Sequence, residues 1–543
     1  MTMAEDSKEN SERDTEQKDL MELVNGNGPW QWMIFAMIFV VSIPDGSTNM
    51  SMTFFAPNLD YWCARPQGIN LSVQEWKEVG LPPDDSKCSR YRFVNISHSS
   101  LAQLENNRFS NETTVCNSWE FDDSFYTSTI VSQWNLVCDR EWLVSVSKST
   151  FIIGYIFSSS IFAYLADRFG RKPIAMLCNV LAIISGICTI FSTSFLMFAI
   201  ARAFAGIGVT GTANITFILL LEIITPEHRS PYFMGIGLAW VVGALHLPLI
   251  AWLLRDWIWM ETVILIPSVL FLFCWWWFPE SPHWLAHGKR DQALKVLSKA
   301  AKMNGVDVSD AKLEEILLKT EKSYEDETPG VSVMQLFHPE LRLRTLAMWF
   351  IWSATAFVYY GITYNTNELA GNPFVNFTLY NLTEVPATIL SFIVIQYKGR
   401  RWPLSISLII TALCSFLVYL IPADPWWIRT SVSLLGICSI SGTFGIIGLF
   451  TAEIFPTLLR NIGVGSASTV ARFAASMAPF VRELERATHP VVPQILYGVV
   501  CIISAGLSLL LPETMNCSIP DTIKEAAKIS SLTLLANLDA KDS

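Results

Sequence analysis

Long apolar blocks alternate with short polar stretches along most of the chain. The blocks 151–166, 195–221 and 262–278 are built almost entirely of apolar and small residues. A helix of about 20 such residues spans the hydrocarbon core of a bilayer, so we interpret each block as one membrane span. The same pattern predicts about twelve spans. They lie near 30–56, 142–166, 172–192, 194–222, 230–254, 257–278, 342–365, 371–396, 402–421, 426–451, 458–481 and 490–511.

The composition agrees with an all-α membrane protein. The 543-residue chain is 51% hydrophobic and only 16% charged, whereas soluble proteins carry about 25% charged residues. Much of the net charge of −10 lies in the acidic N-terminal tail and in the first large loop. Because the chain has no basic nucleic-acid patch, we expect no nucleic-acid partner.

Positive charges predict the orientation of the spans. Short loops rich in Lys and Arg stay in the cytosol, and the segments 167–172, 398–401 and 283–344 fit this description. The N-terminus lacks the basic-then-apolar pattern of a signal peptide, so its tail is expected in the cytosol. An even number of spans places the C-terminus and the three basic segments on the same side. We therefore expect a multi-pass plasma-membrane protein with both termini in the cytosol.

The first loop, 58–140, has the features of an extracellular segment. It contains four of the eleven cysteines, Cys63, Cys88, Cys116 and Cys138. An oxidising compartment would pair them in two disulfides, and the three possible pairings stay open. A cytosolic loop with reduced cysteines is the alternative. The loop also carries acceptor sequons for N-glycosylation. These sequons begin at Asn70, Asn95 and Asn111.

An internal repeat divides the chain into two halves. Similar landmarks follow the second and eighth spans, the fourth and tenth, and the sixth and twelfth, at offsets of 229, 231 and 233 residues. Such a parallel repeat of six helices is typical of a transporter, with the substrate site near the midplane between the halves. The repeated pairs are Gly170 and Gly399, Glu222 and Glu453, and Glu280 and Glu513.

The repeated charges suggest a gate. Charges of both signs lie at one depth, at the cytosolic mouth, and could pair across the two halves when that side is shut and separate when it opens. The alternative is that they only orient the helices and cap their ends. The candidate gating residues are Asp167, Arg168, Gly170, Arg171, Lys172, Glu222, Arg229 and Glu280 in the first half, and Gly399, Arg400, Arg401, Glu453, Arg460 and Glu513 in the second.

The predicted organisation has five parts. The segment between the halves is rich in amphipathic helical pattern, and it either bridges the halves, carries regulation or is a solvated linker. The parts are an N-terminal tail 1–28, a first half 29–282 that includes the loop 58–140, a linker 283–341, a second half 342–512 and a C-terminal tail 513–543.

One motif resembles a nucleotide-binding site but does not have its structural context. Residues 206–211 read GIGVTG, which matches the dinucleotide-binding pattern, but a nucleotide site requires a preceding strand. This stretch lies inside a predicted span, where small residues let helices approach closely. No metal-ligand spacing, catalytic triad or phosphate loop stands out elsewhere. We therefore expect neither an enzyme nor a cofactor, and the coupling ion, sodium or proton, stays open.

Several motifs resemble the major facilitator superfamily and, within it, solute carrier family 22, the organic cation, carnitine and organic anion transporters. The likeness covers about residues 20–525, and LLRDW, AAKMNG and TEVPA resemble the carnitine and organic cation branch. The resemblance implies transport of small organic ions by alternating access. The motifs are GNGPWQ (26–31), FDDSFYTSTIVSQWNLVCDREWL (121–143) followed by LADRFGRKP, FPESPHWL (278–285), TAEIFPTLLRNIGVG (451–465) and LPET…IPDTI (511–523).

Five positions depart from the family pattern. Ala163 replaces the usual glycine before the Asp-Arg motif, and the second copy of that motif has Gln396 in place of its acid. Thr388 stands where anion members often carry lysine, and Thr210 where cation members often do. Asp45 stands where the carnitine branch has asparagine. The resemblance therefore leaves the substrate open among these branches.

Charged residues inside spans are the first candidates for substrate contact, because an arginine there costs about 2.5–3.5 kcal/mol. They are Arg472 in the stretch GSASTVARFAASMAP, Asp45 after a proline in the first span, and Glu384 in the eighth. The repeat offset relates Arg472 to Val241 or Val242 in the first half, and both are apolar. This arginine is therefore not part of the repeated charges, so the gate does not explain it. Its partner is either Asp45 or Glu384, or a carboxylate on the substrate. The resemblance favours the substrate, since anion and carnitine members carry arginine here.

Aromatic residues complete the predicted substrate site. Tyr359 and Tyr360 match a tyrosine pair that lines the pocket in the resembling family, and Trp240 and Phe444 are further candidates. Aromatic faces attract quaternary ammonium groups by about 0.5–2 kcal/mol each.

The overall prediction is a secondary transporter, monomeric as a transport unit, for organic cations or carnitine-like zwitterions. An organic anion transporter, a transporter-like receptor or sensor, and a channel are the alternatives.

Overall fold

The structure is a computed structural model. It describes residues 20–65, 71–83, 85–93, 108–286, 288–325, 332–364, 371–422, 426–457, 459–515, 520 and 523.

Twelve helical spans are found within the described residues, and we number them 1 to 12 in chain order. Their ends lie within a few residues of the predicted ones. The spans are Pro29–Met50 with its continuation Met52–Phe55, Trp142–Phe157 with Ser158–Phe162 and Ala163–Phe169, Arg171–Ile190, Phe195–Glu222, Arg229–Leu254, Trp257–Phe273, Arg342–Tyr364, Pro373–Lys398, Arg401–Leu420, Trp426–Ile454, Arg460–Met477 and Val491–Leu510.

Ten of these spans are long and apolar enough to cross a membrane by length and composition alone. The exceptions are spans 2 and 11, and each has a local cause. A π-helical turn, Ser158–Phe162, divides span 2 into two shorter α-helices. Span 11 is built of Gly, Ala, Ser and Thr around two arginines, so its hydropathy is low. Both pack beside apolar spans, span 2 against span 4 and span 11 against span 7.

Successive spans run in opposite directions, which gives the bundle two ends. The end that carries 58–140 is termed the loop end, and the opposite end, which carries 283–341, is termed the linker end. Among the described residues, the two most extensive packings between the halves are span 2 against span 11 and span 5 against span 8. The internal repeat relates span 2 to span 8 and span 5 to span 11, so it converts one packing into the other.

Small residues allow spans 2, 3 and 4 to lie close together. A Cβ atom on Gly206 would meet the carbonyl of Phe151, and one on Gly208 would meet the amide of Ala182. GIGVTG therefore lies in the middle of helix Phe195–Glu222 and serves helix packing, as expected.

The loop 58–140 contains short strands that the sequence pattern did not predict. Tyr61–Cys63 pairs antiparallel with Trp119–Phe121, and Ser89–Phe93 pairs with Arg108–Val115. Short helices cover Val73–Val79 and Ile130–Trp134.

Disulfides Cys63–Cys116 and Cys88–Cys138 tie these pieces together, so all four predicted cysteines are bonded. Among the sequons, Asn70 and Asn95 lie outside the described residues, as does the side chain of Asn111, whose backbone belongs to a strand.

The linker is folded onto the bundle where the structure describes it. Its helices are Pro282–Ala286, Arg290–Asn304 and Asp310–Glu325. The apolar face predicted for the second helix is buried against the residues that precede span 1. Asn304 fixes this contact, because its Nδ2 donates to the Val24 carbonyl at 2.7 Å and its Oδ1 accepts from the Trp30 amide at 3.0 Å.

Candidate substrate site and gates

A charge cluster closes the linker end of spans 2 to 4. The Arg171 guanidinium donates to both oxygens of Glu222, at 3.2 and 2.9 Å. Its Nη2 also lies 2.9 Å from the exposed Asp167 carboxylate. Glu280 accepts from the backbone amides of Arg171 and Lys172, at 2.9 and 3.1 Å. The carboxylate of Glu280 thus satisfies free amides at the beginning of span 3, where a helix favours negative charge.

The second half repeats the arginine–glutamate pair and the amide contacts of the second glutamate, but not the contact of Asp167. Arg400 donates to both oxygens of Glu453, at 2.9 and 2.8 Å. Glu513 accepts from the amides of Arg400 and Arg401, at 2.9 and 3.1 Å. The glycines before the two arginines, Gly170 and Gly399, have φ values of 111° and 80°, which an L side chain rarely adopts.

The predicted gating residues are therefore brought together, but within each half. Arg171 meets Glu222 and Arg400 meets Glu453, so in this state each cluster is neutralised by its own half. Pairing across the halves in another state stays a prediction.

The other basic candidates lie apart from these acids. Arg460 donates to the Ala452 carbonyl at 2.8 Å rather than to Glu453, and Arg168 and Arg229 are exposed.

A further polar cluster joins the halves at the loop end. Arg482 and Arg486, on the short helix Val481–Ala487, both contact the Glu141 carboxylate before span 2, and the Arg482 contact is 3.7 Å. Ser145 donates to Glu483 at 2.9 Å. We term Glu141, Ser145, Arg482, Glu483 and Arg486 the loop-end cluster. Sequence reasoning missed it because charges at span ends are ordinary and carry no special signal.

At the centre of the molecule, spans 1 and 7 meet through polar side chains. Asn49 Nδ2 donates to the Tyr360 hydroxyl at 3.2 Å. Asp45 Oδ1 and Asn49 Oδ1 are buried and have no hydrogen-bond partner among the described residues. Buried polar atoms in proteins nearly always have a hydrogen-bond partner, so a donor outside the described residues is expected beside these two oxygens.

Glu384 has partners other than an arginine. The Tyr359 hydroxyl donates to Glu384 Oε1 at 2.7 Å, and the Trp240 indole also faces this carboxylate. This contact between Trp240 and Glu384 joins spans 5 and 8, one on each side of the boundary between the halves.

Arg472 lies on span 11 and faces span 2. Its Nη1 donates to Ser468 at 2.5 Å, and its guanidinium carbon lies 4.0 Å from the ring centroid of Tyr155. No carboxylate oxygen of the described residues lies within 4.0 Å of its nitrogens. Asp45 is nevertheless close enough to interact with it electrostatically. Neither predicted ion pair, with Asp45 or with Glu384, is formed in this state.

Aromatic rings fill the space between these charges. Tyr359 lies edge to face with Tyr360 and with Phe444, with ring centroids 5.3 Å apart in both pairs. Tyr155 completes the group from the first half. The central site is defined here by Asp45, Asn49, Tyr155, Tyr359, Tyr360, Glu384, Phe444 and Arg472. The structure thus brings the predicted aromatic and charged candidates to one place.

A buried charge pair lies between spans of the first half. Arg202 of span 4 lies 3.8 Å from Glu261 of span 6, and both side chains are almost fully buried. Arg202 also donates to the Thr48 carbonyl at 2.7 Å. Glu261 was overlooked although it carries the same signal as Asp45, an ionisable residue inside an apolar block. This pair binds spans 1, 4 and 6 together.

Comparisons with known proteins identify the family. The profile described as "Sugar (and other) transporter" matches residues 91–521. The chain is 31% identical to an organic cation transporter-like protein of Drosophila melanogaster, over 93% of this chain and 91% of that protein. It is also 31% identical to organic cation/carnitine transporter 2 of Homo sapiens, over 93% of each chain. Solute carrier family 22 member 21 of Mus musculus is 30% identical, over 95% and 94%. The chain belongs to solute carrier family 22 of the major facilitator superfamily.

The fold agrees with this membership. The inward-open xylose transporter XylE from E. coli superimposes with a TM-score of 0.61 over 92% of this chain and 99% of that one, at 16% identity. At 16% identity, this likeness supports the fold and no statement about function. The predicted major facilitator fold is confirmed, and because members of solute carrier family 22 are transporters, so is the expectation that the chain is not an enzyme.

Proposed function

We propose that this protein is a plasma-membrane transporter that moves small organic ions carrying a carboxylate, and in many cases an ammonium group, by alternating access. The observation that carries the proposal is Arg472. It holds a positive charge at the centre of the molecule without an ion-pair partner among the described residues. A charged side chain inside a span costs free energy. Binding of a transported anion by Arg472 would explain why this charge is present despite that cost.

The surroundings of Arg472 suit a carboxylate. One terminal nitrogen is fixed by Ser468, and the Tyr155 ring supports the planar group from one side. The remaining guanidinium donors can bind a carboxylate with two parallel hydrogen bonds, which a lysine cannot provide. Glu384 does not occupy this position, since Tyr359 holds its carboxylate elsewhere.

Asp45 suits the positive end of the same substrate. Its Oδ1 has no protein partner among the described residues, and the Tyr360 and Tyr359 rings lie nearby in the central site. A carboxylate beside aromatic faces attracts an ammonium group by charge and by cation–π contact. Opposite charges at Asp45 and Arg472 therefore match a zwitterion, and the name of the human relative, organic cation/carnitine transporter 2, supports this substrate class.

The contacts between the halves support one state of an alternating-access cycle. The loop-end cluster joins the two halves at the loop end. At the linker end, Arg171 and Arg400 form their ion pairs within their own halves, and these pairs do not join the halves. We propose that the linker and both termini are cytosolic, that 58–140 is extracellular and glycosylated at Asn70, Asn95 and Asn111, and that one chain forms the transport unit.

An uptake screen on intact cells tests the proposal. It compares carnitine, a permanent organic cation without a carboxylate and an aromatic anion, each with and without sodium, at matched surface expression. The proposal predicts saturable accumulation of carnitine-like zwitterions above the rate for the simple cation. Binding without accumulation in sealed vesicles would contradict transport and favour a receptor. Faster uptake of the simple cation would contradict the carboxylate.

A further inference from the structure

A cavity of about 510 Å³ opens at the linker end, outside the central site and apart from the boundary between the halves. Its walls come from the beginning of span 3, the end of span 6 and the first two linker helices. Two residue types dominate these walls, tryptophan and lysine. The cavity therefore combines a membrane-interface surface with a concentrated positive charge.

The tryptophans place the cavity at the edge of the membrane. Trp275, Trp276 and Trp277 lie just beyond the end of span 6, after Cys274, and their side chains are 40%, 74% and 58% exposed. Rings of this kind are enriched where the hydrocarbon ends and the headgroups begin. Trp284 of the linker also lines the cavity, and its indole donates to the Asp167 carbonyl at 2.7 Å. The cavity thus lies at headgroup level beside exposed aromatic rings.

The lysines give the cavity an excess of positive charge. They are Lys172, Lys289, Lys295 and Lys299, of which the last two stand one turn apart on helix Arg290–Asn304. Lys172 and Lys299 are close enough for their charges to repel. Like charges held together in this way lower the stability of the fold unless an anion neutralises them.

The acid in the cavity wall attracts Lys172, but the wall holds four lysines to this one carboxylate. Glu280 is the carboxylate among the lining residues, and its oxygens accept from the backbone amides of Arg171, Lys172 and Ser281 at 2.9 to 3.2 Å. Two lysines instead lie over indole rings. Lys172 Nζ is 4.6 Å from the Trp275 ring and Lys289 Nζ is 4.7 Å from the Trp284 ring. Aromatic rings orient these ammonium groups without cancelling their charge.

From this geometry we infer that the cavity binds the phosphorylated headgroup of an anionic membrane phospholipid. The lysines would surround the phosphate groups, and the exposed tryptophans would lie along the glycerol and upper acyl chains. Basic pockets on the cytoplasmic side of membrane proteins bind such headgroups. A soluble phosphate ester shares the phosphate chemistry, but it would make no use of the tryptophan surface that opens toward the lipid.

The test uses the purified full-length protein in phosphatidylcholine nanodiscs. A short-chain phosphatidylinositol bisphosphate is titrated into wild type and into Lys295→Gln/Lys299→Gln, with bound lipid counted by native mass spectrometry. Each lysine near a headgroup contributes about a fivefold factor, so the double variant should bind about 30-fold more weakly. The matched control is Lys302→Gln/Lys312→Gln, which removes two exposed linker lysines outside the cavity and should bind like wild type.

Two further arms separate the sources of the phosphate. Inositol trisphosphate and inorganic phosphate, both without acyl chains, should bind much more weakly than the lipid. Equal binding of lipid and soluble inositol phosphate would overturn the lipid assignment. Equal lipid binding by the two double variants would overturn the site. If Lys295→Gln/Lys299→Gln does not fold, Lys299→Gln alone is compared with Lys302→Gln, and a fivefold difference is expected.

Discussion

Glu120 shows how one side chain can set the pH response of the loop. It accepts from the Arg65 backbone amide at 3.0 Å, from the Arg65 guanidinium and from the Trp62 indole. Burial alone would raise the pKa of Glu120, but these hydrogen bonds outweigh burial and lower its pKa below the ordinary glutamate value. Stability from this site is therefore present above the unfolded pKa and is lost as pH falls through the lowered folded pKa.

The pH dependence of stability at Glu120 should be visible in hydrogen exchange of the neighbouring strand. In wild type, hydrogen exchange of the 61–65 amides, corrected for its intrinsic pH dependence, should accelerate as pH drops below about 4. Glu120→Gln cannot bind Arg65 as a carboxylate, so it should exchange severalfold faster at neutral pH and show no such acid transition. The exposed Glu78→Gln is the control and should behave like wild type. An acid transition retained in Glu120→Gln would contradict this role.

Asp167 permits a test of the linker-end charges with little effect on folding. Its side chain is 71% exposed and its ion pair with Arg171 joins residues only four positions apart, across the turn between spans 2 and 3, so its loss should cost at most about 1 kcal/mol. If the charge acts in the conformational cycle, Asp167→Ala should reach the surface normally but turn over at least severalfold more slowly. Glu227→Ala, which removes another exposed acid at this end, is the control. A normal transport rate in Asp167→Ala would show that the charges only cap and orient helices.

At the scale of elements, the short helix Val481–Ala487 acts on the beginning of span 2. Arg482 and Arg486 reach Glu141 across the boundary between the halves. Arg482 also donates to Asn58, and the Tyr61 hydroxyl donates to Glu141 at 3.3 Å. The disulfide-bonded loop and the loop-end cluster are therefore one connected structure, so closure at this end involves the loop as well as the spans.

Weakening that closure should expose the interface beneath it. Ser149 is buried below the cluster and donates to the Ser476 carbonyl at 2.6 Å. We expect Glu141→Gln to increase severalfold the rate at which a membrane-impermeant reagent labels a cysteine at Ser149→Cys, because the loop-open state gains population. Asp139→Asn, an exposed acid outside the cluster, should leave the rate unchanged. The same labelling rate in all three backgrounds would mean that the cluster does not hold this end shut.

At the scale of the whole molecule, the span pattern and the repeat predicted most of the fold. Apolar blocks located the twelve spans, and repeat offsets of 229 and 231 residues related Arg171 to Arg400 and Glu222 to Glu453 before their contacts were known. Spans 2 and 11 were predicted from the same pattern, although span 2 is divided by a π-helical turn and span 11 is rich in small and polar residues.

The details that escaped prediction depend on contacts between distant segments. The pairing of Cys63 with Cys116 rests on two short strands that sequence spacing does not specify. The loop-end cluster joins residues more than 300 positions apart, and each of its charges is ordinary in isolation. The central site was predicted from charges inside spans, but the sequence could not show that Glu384 is held by Tyr359.

The central claim is that Arg472 binds the carboxylate of the transported substrate. The most direct measurement compares uptake of carnitine with that of a matched quaternary ammonium alcohol, in wild type and three Arg472 variants at equal surface expression. The account predicts that Arg472→Lys weakens carnitine uptake, because the bidentate geometry is lost. Arg472→Ala should nearly abolish it, and Arg472→Asp should abolish it while the alcohol is spared or favoured. Unchanged carnitine uptake in Arg472→Ala would contradict the account.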